Sequence, residues 1–110
     1  LGYINAGRLY YLTGQYEKSK EMFDTALGSY ARPKTEDILI YAFTLAKLKQ
    51  YQASIDVVNK YFTGDFNNSQ AKLVLAIDYF KMGNVSEARK YFDWDPDKSE
   101  AEKIKILRAF

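Results

Sequence analysis

Apolar side chains return along this chain in steps of three and four residues. Tyr3, Ala6, Gly7 and Tyr10 open the pattern, Ile38, Tyr41, Ala42 and Leu45 repeat it 35 positions later, and Leu75, Ala76 and Tyr79 continue it. Such spacing gathers side chains on one face of an α-helix, whereas a strand would alternate, so helix is predicted throughout. Gly14 and Gly83 follow the first and third of these stretches as helix terminators, and new helices are predicted to start near Gln15, Gln50 and Asn84. Asn84 and Glu87 have the spacing of a capping box. Each pair of helices therefore reads as a hairpin. ARPKT at 31–35 and GDFNNS at 64–69 connect one hairpin to the next, with Thr35 and Ser69 placed to cap the helix that follows. Within DWDPDKSEAE at 93–102, Pro96 breaks the pattern and Ser99 with Glu102 restarts it.

The hairpin itself has a cadence. GQYEKS at 14–19, KQYQAS at 49–54 and GNVSEA at 83–88 stand 34 or 35 positions apart. Gly7, Ala42 and Ala76 are small where the paired helix has to cross closely, and Ser19, Ser54 and Ala88 are their small partners. A helical hairpin repeated at this period resembles the tetratricopeptide repeat. In the first unit Gly7, Tyr10, Tyr11, Gly14, Tyr16, Phe23, Ala26 and Leu27 fall on that family's pattern, with Ser19 in place of its second-helix Ala. The second unit follows with Ala42, Leu45, Tyr51, Ser54 and Val58 but has Lys49 at the turn, and the third with Ala76, Tyr79, Gly83, Ala88 and Phe92 until Pro96 cuts its second helix short. The resemblance implies an all-α, right-handed α-solenoid. Residues 1–110 form one domain in this reading, with units at about 1–33, 34–67 and 68–97 and a closing helix at about 99–110. Because the chain opens on Leu1 without a Met, it is expected to be a piece of a longer protein.

Composition narrows the functions open to such a scaffold. The 110 residues are 47% hydrophobic and 27% charged, enough for one folded domain, with 10 Tyr and 7 Phe. With neither His nor Cys, disulfides, thiol nucleophiles, imidazole bases and most transition-metal sites are removed together. Net charge is +2, with both signs interleaved, which argues against nucleic acid as a partner. The longest apolar stretch, 38–46, is about half of what a bilayer span needs, so no membrane insertion is expected. Asp93, Asp95 and Asp97 alternate as at the start of an EF-hand loop, yet Lys98 stands where that loop needs Gly and Ile104 where it needs a bidentate Glu. No metal, cofactor or catalytic residue is assigned, since the chain also lacks a Gly-rich phosphate loop and a GxSxG turn.

The remaining candidate is a contact surface. The resemblance places Ile4, Arg8, Tyr11 and Leu12, then Leu39, Phe43, Ala46 and Lys47, then Leu73, Ile77, Phe80 and Lys81 along the concave face formed by the first helix of each unit. Most are apolar where a solvated face would be polar, with Phe43, Ile77 and Phe80 at the centre and Arg8, Lys47 and Lys81 as a cationic lip. The implied function is noncatalytic: a scaffold holding a protein or peptide segment by apolar anchors, with the cations meeting an acidic group on the partner. The alternative is a spacer or self-association segment of a longer solenoid, with the strip covered by flanking repeats, the closing helix or a second copy. The family's best-known subclass clamps acidic chaperone tails with Lys, Asn and Arg. Ile4, Arg8 and Phe43 stand in place of that clamp here, and 73–77 lacks its closing cations, so that ligand is not carried over.

Overall fold

The structure, a computed structural model, describes residues 2–29, 33–62 and 67–110. Residues 31 and 32 of ARPKT and 64–66 of GDFNNS lie outside the described residues. Seven α-helices and no strand are found among the described residues: α1 (Gly2–Leu12), α2 (Tyr16–Gly28), α3 (Thr35–Lys47), α4 (Tyr51–Tyr61), α5 (Ser69–Lys81), α6 (Val85–Arg89) and α7 (Glu100–Ala109). A short 3-10 turn, Phe92–Trp94, joins the last two. The packing is all-helical and solenoid-like: α1 pairs with α2, α3 with α4 and α5 with α6, each first helix also packs on the next, and α7 lies against α5.

Small residues bring the helices of a hairpin together. A Cβ added at Gly7 would sit 2.8 Å from a ring carbon of Phe23, itself buried in α2. Nothing larger than hydrogen fits there unless Phe23 moves. Ser19 lies beside it and donates from Oγ to the Gly7 carbonyl at 2.7 Å. Ala42, Ala76 and Ala88 are likewise fully buried. A core running from Ile38 through Ile55, Val58, Val74 and Leu75 to Leu107 links the second hairpin to the third and to α7.

The three hairpin turns share one geometry. Gly14, Lys49 and Gly83 have φ of +76°, +61° and +84°. In each, the residue that follows donates back to a carbonyl near the end of the first helix: Gln15 to Tyr10, Gln50 to Leu45 and Asn84 to Tyr79. This is the paired bonding that ends a helix on a left-handed residue.

Three local expectations differ from the structure. Thr35 and Ser69 are the first helical residues rather than caps. Asn68 caps α5, its Oδ1 accepting from the N–H groups of Gln70 and Ala71 at 2.9 and 3.0 Å, while the Lys34 N–H donates to Asp37 at the start of α3. Finally, α6 stops at Arg89, well before Pro96. Phe92 and Trp94 explain this: two residues apart, they would point about 200° away from each other on an α-helix. The 3-10 turn buries both, ring centroids 5.7 Å apart.

Candidate functional site

The 34-residue repeat carries two parallel stripes onto α3 and α5. Glu36, Leu39, Phe43 and Lys47 line one side of α3, and Gln70, Leu73, Ile77 and Lys81 stand at the matching places on α5. Steps of three and four keep each stripe on a single helix face. Between them lies a mainly apolar cavity of about 490 Å³, lined by Tyr11, Glu36, Leu39, Ile40, Phe43, Lys47, Gln70, Leu73, Ile77, Ile106 and Phe110.

Its floor and walls differ in exposure. Leu39 is buried and Ile77 is only 1% exposed, so both act as floor and belong to the core. Phe43 and Leu73 are half-buried and can meet an incoming group. Tyr11 contributes from α1, its ring edge-on to Tyr16 at 5.7 Å. Burial, reinforced by Tyr16, pushes the Tyr11 phenol up, so it stays neutral and hydrogen-bond competent at ordinary pH.

Ile4, Arg8, Leu12, Phe80 and Lys81 do not line the cavity. Arg8 instead reaches α3, its guanidinium 3.6 Å from the buried carboxylate of Asp37, and Leu12 is 79% exposed. Phe80 packs half-buried against the core.

The far wall is α7. The Phe110 ring stands 6.2 Å from that of Phe43, and the Lys47 ammonium lies 4.1 Å from the Phe110 ring centroid. Lys81 donates to the Arg108 carbonyl at 3.1 Å. The two lysines therefore hold the last turn of α7 at the mouth of the cavity. Ile106 and Phe110 were not legible as lining residues, because nothing local to them reports where α7 docks. Glu36, Ile40 and Gln70 could have been found by extending the 34-residue stripe toward the helix N-termini.

The acidic run behaves as a turn and a tether. Asp93 pairs with Lys72 at 2.8 Å, which holds its carboxyl below the usual range despite slight desolvation. Asp95 accepts from the Asp97 N–H at 3.1 Å and lies 3.5 Å from the Lys98 ammonium.

Antiparallel helical hairpins stacked side by side, with a cavity along their first helices, define a helical-repeat protein. Residues 2–32, the first hairpin, match the family model for the tetratricopeptide repeat. A search of curated proteins and of solved structures gives no significant match. Repeats of this family are generally nonenzymatic protein-interaction modules. No helix among the described residues is long and apolar enough to cross a membrane.

Proposed function

We propose that this domain is a noncatalytic scaffold that holds an apolar protein or peptide segment in the cavity between α3, α5 and α7. The observation supporting this reading is the cavity itself, walled by side chains from four helices, with Phe43, Leu73 and Phe110 presenting apolar surface to its interior. Lys47 and Lys81 at the mouth favour an acidic group on the partner. Selection of binders from a random peptide library, followed by Phe43→Ala and Leu73→Ala, tests it. Each substitution removes an anchor, and affinity should drop at least about tenfold while the fold persists. Peptides indifferent to both would leave the cavity without this role.

A second reading has its own support. Leu9 is 61% exposed and Leu12 79%, with Tyr3 half exposed on the same helix. Apolar surface of this kind on an end helix suits a repeat packed inside a longer solenoid. Under that reading, adding the flanking sequence of the parent protein shields Leu9 and Leu12 from solvent, and selected peptides bind no better than to Phe43→Ala.

A further inference from the structure

The cavity is electrically polarised along its length. Glu36 sits in the first turn of α3 and Lys47 in its last, so the two ends of the same stripe are separated by roughly 16 Å at 1.5 Å per residue. The second stripe repeats the order: Gln70 stands at the place of Glu36, then Leu73 and Ile77, then Lys81. Apolar surface fills the middle of both. Glu36 is exposed and forms no ion pair among the described residues. Lys47 lies against the neutral Phe110 ring and forms no ion pair among the described residues. One end of the cavity therefore offers the Glu36 carboxylate and the other the Lys47 ammonium, both among its lining residues.

We infer that the groove takes a dipolar segment, an apolar core flanked by a basic residue that meets Glu36 and an acidic residue that meets Lys47. This rests on the scaffold reading above and adds to it the basic end and the alignment of the bound segment. A segment acidic at both ends places one carboxylate against Glu36, and one basic at both ends places an ammonium against Lys47. Like charges brought together at a partly desolvated rim are repelled, and opposite charges are held.

The test uses three synthetic peptides with the same Leu/Phe core and capped termini: one flanked by Lys and Glu, one by Glu at both ends, one by Lys at both ends. Fluorescence anisotropy at low salt measures each against the intact domain, Glu36→Lys, Lys47→Glu and the milder Lys47→Gln. The Lys/Glu peptide should bind the unaltered domain about fivefold more tightly than either of the others. Glu36→Lys should move the preference to the doubly acidic peptide, and Lys47→Glu to the doubly basic one. Lys47→Gln should erase the discrimination against the doubly basic peptide. Glu36 is exposed, so Glu36→Lys should melt with the unaltered domain. The Lys47 variants lose the Phe110 ring contact and should melt slightly lower yet still cooperatively, so that their peptide preferences are read on folded protein. If the three peptides bind equally well and the substitutions do not shift their order, polarity is refuted and the apolar groove stands. Should none of them bind the unaltered domain, the groove reading fails with it.

Discussion

Hydroxyl side chains meet at the first crossing between hairpins: Thr44 on α3 lies 3.3 Å from Ser19 on α2 and donates to the Ile40 carbonyl at 2.7 Å. One repeat later the corresponding residues are Asp78 and Ser54, and the chemistry changes. Asp78 is fully buried, and among the described residues neither its carboxylate oxygens nor Ser54 Oγ has a hydrogen-bond partner of good geometry. Burial drives the Asp78 carboxyl up to about 8, with the Ser54 hydroxyl as a smaller opposing influence. The folded protein thus keeps a proton that the unfolded chain releases near the ordinary value of 3.8. Because the native state binds more protons across that window, stability is greatest below about pH 4 on account of this group and falls as pH rises toward about 8. The slope should approach ~1.4 kcal/mol per pH unit between pH 5 and 7. Asp93, held low by Lys72, acts in the opposite sense and only at more acidic pH. Asp78→Asn keeps the shape and removes the titration. Urea denaturation from pH 5 to 8 should show a declining midpoint for the unaltered protein and a nearly level one for Asp78→Asn; parallel declines would exclude Asp78 as the cause. Asp78 follows Ile77 on α5, but its complete burial depends on α4 packing against α5.

At the scale of elements, the three hairpin turns adopt one backbone path with unequal ease. Gly14 and Gly83 enter the left-handed region without penalty, whereas Lys49 at φ +61° carries a Cβ there. Lys49→Gly should therefore raise stability by about 1 kcal/mol, read as a higher urea midpoint with unchanged slope. A lower midpoint would mean that the Lys49 side chain contributes more than its backbone costs. The glycine turns were legible because glycine itself is the signal; at Lys49 only the repeat pointed to a turn. Helix starts at Gln15, Gln50 and Asn84 agree with the sequence reading, and Ser99 with Glu102 forms the expected capping box. At α5 the cap moved by one residue, since Asn68 and Ser69 are both good caps and backbone geometry chose between them. The early end of α6 was hidden for a different reason. Proline is a visible break, but burial of both Phe92 and Trp94 is a demand of the core.

For the whole molecule, α7 is the element that adds a far wall to the open cavity along the first helices. Leu107 is completely buried against the core, and Lys103 lies near the Trp94 ring at 5.7 Å. Leu107→Ala should cost about 2–5 kcal/mol, as large-to-small changes at full burial do. Differential scanning calorimetry should show the loss as a lower melting temperature for the entire domain. A small early transition with the main melt unmoved would make α7 an independent appendage.

What the sequence determined by itself is the helical character, the hairpin period, the small residues at the crossings and the paired stripes on α3 and α5. All of these follow from spacing within about 35 residues, where helix geometry converts sequence position into direction. Tertiary structure decided which members of a stripe became floor and which wall. It sank Ile77 while leaving Phe43 half exposed, drew Arg8 to Asp37, and laid Phe110 beneath the Lys47 ammonium. These outcomes depend on how separate helices stack, and burial at any position is a sum over side chains contributed by several elements at once. A periodic pattern states which way a residue points; only the neighbouring helices determine what it meets there.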